Sequence, residues 1–462
     1  MDQSLIFDPD LIRRYDSKGP RYTSYPTALQ FHEGFDEAAY LAQVRRSNED
    51  LIPKPLSLYF HLPFCNTVCF YCACNKIVTR QRERAIPYLQ HLHEELRLQG
   101  RRFDRDRKVD QLHWGGGTPT FISHAQIREL MTVTAEHFTL RDDPEREYSI
   151  EIDPRETHED TMAVLRECGF NRISLGVQDF NPVVQKAVNR IQSVAQTRAV
   201  IDAARAEGFD SISVDLIYGL PHQDRASFDD TLETVIALSP DRIAVYNYAH
   251  LPQMFKPQTR IKETDLPSAE EKLAILQSCI ELLGRAGYVY IGMDHFAKPD
   301  NELAIAQREG RLYRNFQGYS THAGCDIVGM GITAIGRVAD SYSQNRKGLE
   351  EYYDAIEAER IPIFRGLELN RDDLLRREVI SRLICNFSLH YKEIDDLYDI
   401  SFRTDLGPEL AALEQMQADG LLHMDETGIT VLPTGRLLIR NICMVFDRYL
   451  PTTSETRYSR TV

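Results

Sequence analysis

Between about residues 54 and 250, apolar residues recur at every second position in short runs, and these runs alternate with stretches of helical spacing. The two-period runs are PLSLYFHL, VDQLHW, YSIEID, RISLGVQ, SISVDLIYG and RIAVYNYA. The helical stretches fall at about 82–100, 124–137, 158–168, 194–207 and 226–237. Alternating strands and helices predict a parallel sheet with right-handed crossovers. Six such units predict a curved sheet or an incomplete barrel.

The parity within the strands carries more information. In SIEID, Ile150 and Ile152 oppose Ser149, Glu151 and Asp153. In RISLGVQ, Ile173, Leu175 and Val177 oppose Ser174, Gly176 and Gln178. In SISVDL, Ile212, Val214 and Leu216 oppose Ser211, Ser213 and Asp215. A parallel strand covered on both sides is normally apolar on both faces. A repeated polar face, with Glu151, Gln178 and Asp215 late in their strands, predicts a hollow interior with its chemistry at the C-terminal strand ends.

The flanks read differently. Residues 1–36 lack the repeat, and RYTSYPTA (21–28) predicts an ordered extended arm. A long helix over 268–287 leads to YVYIGMDHFA, which predicts one further strand. From about 371, LRREVISRLICNF and ELAALEQMQADGLL predict amphipathic helices, followed by a hairpin and a last helix, in the manner of a small winged-helix domain. The predicted fold class is therefore α/β: an incomplete (βα)6 TIM-like barrel with extra strands over 37–370, preceded by the arm and followed by a small, mostly helical domain over 371–462.

The chain has 462 residues, with 54 Lys and Arg against 69 Asp and Glu, a net charge of −15. That charge argues against general binding of nucleic acid or anionic membranes. The N-terminal MDQSLIFDPDLIRRY has no apolar signal region, and no run of about 18 apolar residues occurs. A cytoplasmic protein without a membrane span is expected, and an enclosed single-chain cup predicts a monomer.

Four of the nine cysteines crowd into ten residues after the first strand: Cys65, Cys69, Cys72 and Cys74, spaced C-x3-C-x2-C-x-C. Three thiolates on one loop suit three corners of a 4Fe–4S cluster, which leaves one iron open to a substrate or cofactor. Structural zinc usually takes two separated ligand pairs, and two disulfides within ten residues would be strained. Trp114-Gly115-Gly116-Gly117-Thr118-Pro119-Thr120 follows the second strand; it lacks the lysine of a phosphate loop and the spacing of a dinucleotide fingerprint. A second glycine run, Gly329 to Gly336, suits either a tight turn or a flat surface against an adenine ring.

The cysteine triplet after a first strand, with GGGTPT after the second, resembles the radical S-adenosylmethionine (SAM) enzymes. RYTSYPTA, YFHLPFC, Cys74, NKIVTR, HWGGGTPT, EIDPRE, SLGVQDF, NRIQ, DLIYGLP and RNICMVFDRYL resemble, more narrowly, the family of oxygen-independent coproporphyrinogen III oxidases, from about Asp16 to Tyr449. The resemblance implies that Cys65, Cys69 and Cys72 hold the cluster and Cys74 does not. It implies two molecules of SAM, one contacted by Tyr59, Gly116, Glu151 and Ile335. The other is contacted by Tyr71, Gly117, Thr118, Gln178, Arg190, Asp215 and Ala249. Tyr59 and Asp215 are the implied catalytic positions. Tyr71 departs from the phenylalanine usual there, so its hydroxyl needs a partner.

The implied reaction starts from an electron delivered by an unidentified donor. A 5′-deoxyadenosyl radical then takes hydrogen from a propionate β-carbon, and loss of carbon dioxide and an electron leaves a vinyl group. Two rounds convert coproporphyrinogen III to protoporphyrinogen IX, a step of haem biosynthesis. A substrate with four carboxylates on an acidic protein calls for local arginines, with Arg21, Arg155, Arg190, Arg436 and Arg440 as candidates. The rival readings are a haem-binding chaperone of the same superfamily, a radical methyltransferase and a zinc-structured scaffold. Cys74 and the arm favour the oxidase over the chaperone.

Overall fold

The computed structural model describes residues 5–450. The chain forms two compact units, one of residues 31–268 with 324–368, the other of residues up to 30 with 269–323 and 369 onward.

In the first unit the six predicted strands form one parallel sheet: β1 (Leu56–Leu62), β2 (Lys108–Gly116), β3 (Glu147–Ile152), β4 (Arg172–Gln178), β5 (Ser211–Tyr218) and β6 (Arg242–Asn247). Four strands not read from the sequence extend it beyond β1. These are β7 (Asp326–Met330), parallel to β1, then β8 (Ile335–Val338), β9 (Ser341–Asn345) and β10 (Ile363–Glu368), each antiparallel to the last. The order is β6-β5-β4-β3-β2-β1-β7-β8-β9-β10. Among the described residues β6 does not pair with β10, so the barrel is incomplete, as expected.

The intervening helices begin where the sequence supplies caps. Ser123 and Gln126, Ser193 and Gln196, and Asp224 and Ser227 form reciprocal capping boxes at the starts of His124–His137, Val194–Ala206 and Arg225–Leu238. The parity holds in three dimensions. Ile150, Ile152, Ile173, Leu175, Val177, Ile212, Val214 and Leu216 are buried against these helices, whereas Ser149, Glu151, Ser174, Gly176, Gln178, Ser213 and Asp215 keep accessible surface on the other face. Register lines the polar set up laterally: Tyr59 stands beside His113, His113 beside Ser149, Glu151 beside Ser174 and Gly176 beside Asp215.

In the second unit, helices Ala269–Arg285, Arg371–Asn386, Tyr391–Tyr398 and Gly407–Ala418 accompany a small antiparallel sheet whose central strand is Gly428–Val431. The expected single strand YVYIGMDHFA is a hairpin instead, Val289–Gly292 against His295–Ala297. Gly292 and Met293 turn it with positive φ. The arm is tied down within this unit. Arg440 donates to the Gly19 and Pro20 carbonyls, and the Tyr22 hydroxyl donates to Asp447 at 2.9 Å.

Candidate active site

The cysteine loop leaves β1 and is closed at its base by a short parallel ladder, Phe64–Cys65 against Ile77–Val78. The glycine run after β2 is zipped to the start of that loop. Gly117 N–H donates to Leu62 O and Thr118 N–H to Phe64 O, both at 2.8 Å, and the Thr118 hydroxyl reaches Cys65 Sγ at 3.7 Å. A Cβ on Gly117 would lie 2.6 Å from the Pro63 carbonyl carbon. One on Gly116, whose φ is +111°, would lie 2.7 Å from the His61 ring. These glycines are thus required by backbone approach as well as by conformation.

The thiols are not equivalent. Burial pushes Cys65 up to about 11. A hydrogen bond from Cys74 and the Lys76 ammonium pull Cys72 down to about 6, and Lys76 also donates to the Cys72 and Cys74 carbonyls at 3.3 Å. Cys69 is buried, and two guanidiniums meet its sulfur: Arg155 at 3.7 Å and Arg190 at 3.6 Å. The Tyr71 hydroxyl finds its partner there too, in the Cys69 sulfur, while the residue packs with Phe70 on Val184, Val188, Leu220, Tyr248 and Ile261.

On the polar wall, Glu151 accepts from Gly116 N–H at 3.1 Å and lies 3.5 Å from His113 Nε2. Protein surrounds this carboxylate, yet 47% of its side-chain surface stays reachable, which describes the wall of a recessed cavity. Burial pushes Glu151 up, but His113, the Gly116 N–H and His61 outweigh it and hold the group below the ordinary range. Tyr59 stacks on His113 with ring centroids 5.9 Å apart. His61 Nε2 donates to Asn75 O at 2.9 Å, so its Nδ1 accepts from the Tyr59 hydroxyl at 3.2 Å; burial favours this neutral ring. Asp215 accepts from the Ser174 hydroxyl at 3.1 Å and is pushed up to about 7 by burial and by the Glu151 charge.

Gln178 ends β4 with φ +71°, a costly conformation for a residue with a side chain. A Cβ on Gly176 would meet both Gln178 Nε2, at 2.9 Å, and Arg190 Nη2, at 3.1 Å. Gly176 therefore makes room for these two side chains. Gln178 Oε1, Arg190 Nε and Asn247 Oδ1 are buried without hydrogen-bond partners among the described residues. Asn247, at the end of β6, was not singled out from the sequence; its only signal was its place at a strand's C-terminal end.

Two sequence-nominated residues lie outside strands β1 to β6. Ile335 opens β8, and its backbone crowds Gly329 across the turn. Ala249, beyond β6, is exposed. The arginines nominated for propionates already have partners: Arg155 and Arg190 on Asp153, Arg21 on Asp294, Arg440 on the arm carbonyls, and Arg436 over the Phe387 ring at 5.0 Å.

Comparison with known proteins agrees with this geometry. The Radical SAM superfamily model matches residues 59–235 and the HemN C-terminal domain model matches residues 369–438. The oxygen-independent coproporphyrinogen III oxidase of Pseudomonas aeruginosa is 52% identical over 465 residues, covering 100% of both chains. That of Escherichia coli K12 is 51% identical over 448 residues, covering 97% of this chain and 96% of the relative. The solved structure described as coproporphyrinogen III oxidase (HemN) from Escherichia coli, a radical SAM enzyme, superposes with a TM-score of 0.92 at 50% identity. It covers 97% of this chain and 100% of that one. With identity at this level running the whole length of the chain, the protein belongs to the radical SAM superfamily and, within it, to the family of oxygen-independent coproporphyrinogen III oxidases.

Proposed function

We propose that this chain oxidatively decarboxylates two propionate side chains of coproporphyrinogen III to vinyl groups, giving protoporphyrinogen IX for haem biosynthesis. The observation that carries this reading is the three-thiol loop, zipped to a glycine run above a polar cup, in a chain about half identical from end to end to oxidases of that name. Those names leave the haem-chaperone alternative without support.

Membership of the superfamily implies a 4Fe–4S cluster and SAM, and the residues fit both. Three soft thiols lie on one closed loop, a glycine cradle leaves no room for side chains, and buried polar atoms of Gln178, Arg190 and Asn247 want partners. When bound, these groups supply one-electron chemistry that removes hydrogen from a propionate side chain.

The chain's residues do the rest. Cys65, Cys69 and Cys72 hold the cluster, with Cys74 alongside as a hydrogen-bond donor to Cys72. Glu151, Tyr59, Gly116 and Ile335 form one SAM site. Tyr71, Gly117, Thr118, Gln178, Arg190, Asp215 and Ala249 form a second. The two carboxylates suit the donors SAM offers, its amine and ribose hydroxyls. Among the described residues Asp215 has only Ser174 as a hydrogen-bond donor, so its carboxylate keeps capacity for a ribose. Gln178 and Arg190 offer an amide oxygen and a guanidinium N–H to the same molecule. The enclosing wall limits water at the reacting carbon.

An external one-electron donor is required. We take the chain to act as a cytoplasmic monomer; among the described residues no helix is long and apolar enough to cross a membrane.

The test is anaerobic reconstitution with iron and sulfide, followed by SAM, reductant and coproporphyrinogen III. The expected product has lost two carboxyl groups and gained two vinyl groups. Cluster-loaded protein that yields no vinyl product, or that instead forms a stable stoichiometric complex with haem, refutes the assignment. Equilibrium binding should count two SAM molecules per chain, and Asp215→Ala should reduce that to one.

A further inference from the structure

We propose that Arg155, held by Asp153, tunes the cluster through a charge-assisted N–H···S bond to Cys69, raising its reduction potential. The inference rests on the cluster assignment above.

The geometry is specific to one thiol. Cys65 meets a neutral hydroxyl, Thr118 at 3.7 Å, and Cys72 meets Cys74 and Lys76. Among the described residues, of the clustered thiols only Cys69 has guanidiniums within bonding distance, Arg155 Nη2 at 3.7 Å and Arg190 Nη1 at 3.6 Å. Asp153 fixes both. Arg155 grips it with two arms, Nη2 to Oδ2 at 2.6 Å and Nε to Oδ1 at 3.0 Å, and the Arg155 N–H adds a third bond at 3.1 Å. Arg190 Nη1 reaches the same carboxylate at 2.9 Å.

The charges do not cancel. Two cations share one carboxylate in a place where the Asp153, Arg155 and Arg190 side chains are only 9%, 16% and 7% exposed. An uncompensated buried charge is costly. The Cys69 sulfur is the acceptor that both guanidiniums reach, so a thiolate ligand there supplies the missing negative charge. Reduction of a cluster adds negative charge at its sulfurs. A fixed cation and N–H donors at one sulfur stabilise the reduced state more than the oxidised one. The short sequence distance from Asp153 to Arg155 pre-aims the donor, so no reorganisation accompanies the electron.

Arg190 carries a second role in the SAM site, so Arg155 is the cleaner position to test. The holoenzyme and its variants are reconstituted anaerobically, iron per chain is counted, and the cluster potential is read by EPR-monitored redox titration. With wild-type iron content, Arg155→Met should shift the potential to a more negative value. Arg155→Lys, which keeps the charge but loses the fork, should shift it less in the same direction. Asp153→Asn, which removes the balancing anion, should shift it the other way. Arg155→Met and Arg155→Lys proteins with full iron content and the wild-type potential overturn the inference. If Arg155→Met takes up less iron, Arg155→Lys and Asp153→Asn decide, and an unchanged potential in both overturns it. Wild-type protein that takes up no iron instead refutes the cluster assignment itself.

Discussion

Replacing Glu95 by Gln sets two effects against each other, and pH separates them. Glu95 lies on the helix Ala85–Gly100 and is 0% exposed. Its Oε2 accepts from the Gly331 N–H at 2.7 Å and the Tyr352 hydroxyl at 2.6 Å; its Oε1 accepts from Asn345 Nδ2 at 2.7 Å. Tyr88 of the same helix accepts from the Ile332 N–H at 3.2 Å and donates to His61 O at 2.6 Å. The helix thus holds both the turn before Ile335 and the end of β1. Burial raises the Glu95 carboxyl from its ordinary 4.5 to about 7, and the three hydrogen bonds offset only part of that rise. The folded pKa therefore exceeds the unfolded one. Between the two values the folded state keeps a proton that the unfolded state has lost. Stability falls as pH climbs from about 4.5 to about 7 and then levels off, by about 3 kcal/mol at 1.36 kcal/mol per pH unit.

A glutamine does not titrate, so it escapes that loss. Its oxygen can serve Gly331 and Tyr352, but its amide then faces the Asn345 amide, donor to donor, at a cost of ~1–3 kcal/mol at any pH. The variant should be less stable than wild type at pH 5, and about 2.5 kcal/mol of the difference should swing in its favour by pH 8. Urea unfolding followed by Trp114 fluorescence measures it. Trp114 is the only tryptophan, is fully buried on β2 and reports on the sheet that Glu95 braces. An equal gap between variant and wild type at pH 5 and pH 8 would refute the reasoning.

Serine at Cys65, Cys69 or Cys72 should abolish both bound iron and vinyl product, whereas Cys74→Ser should keep its iron; iron analysis and product mass distinguish them. Gly117→Ala should lose SAM binding in equilibrium dialysis, because the added methyl meets backbone atoms of Pro63 and Phe64 at 2.6–2.7 Å that cannot step aside. Arg107→Met should lower the unfolding free energy by about 3–5 kcal/mol, since it strands the Asp326 carboxylate, paired at 2.7 Å with both side chains 2% exposed. Adding Asp326→Leu should restore much of that loss in the same urea assay.

Strand parity made the polar wall legible in the sequence. RISLGVQ is β4 residue for residue, and the positions it placed opposite the apolar set keep accessible surface. Alternation is a local signal, so it survives reading one segment at a time. The strands β7 to β10 escaped because β7 is five residues long and lies beside β1, a partner some 270 positions earlier, so nothing near it in sequence marks it as a strand. The glycine run from Gly329 to Gly336 was legible as either a tight turn or a flat surface against an adenine ring, and Gly331 and Thr333 do make a turn with positive φ. Glu95 carries a signal in the sequence. Tyr88, Leu92, Leu96 and Gln99 form the buried stripe of their helix, and Glu95 falls on that stripe rather than opposite it. A carboxylate on an apolar stripe implies a waiting set of donors, though not which ones. The Asp153–Arg155–Arg190 group shows the deeper reason. Asp153 follows β3 two residues after Glu151, and Asp153–Arg155 is a contact between near neighbours. Arg190, however, arrives 37 residues later, on the loop after the helix Pro182–Ala187. What lines the polar wall follows from which way a strand residue points. What sets the charge around it depends on how distant loops return to the rim, and there only the folded structure decides.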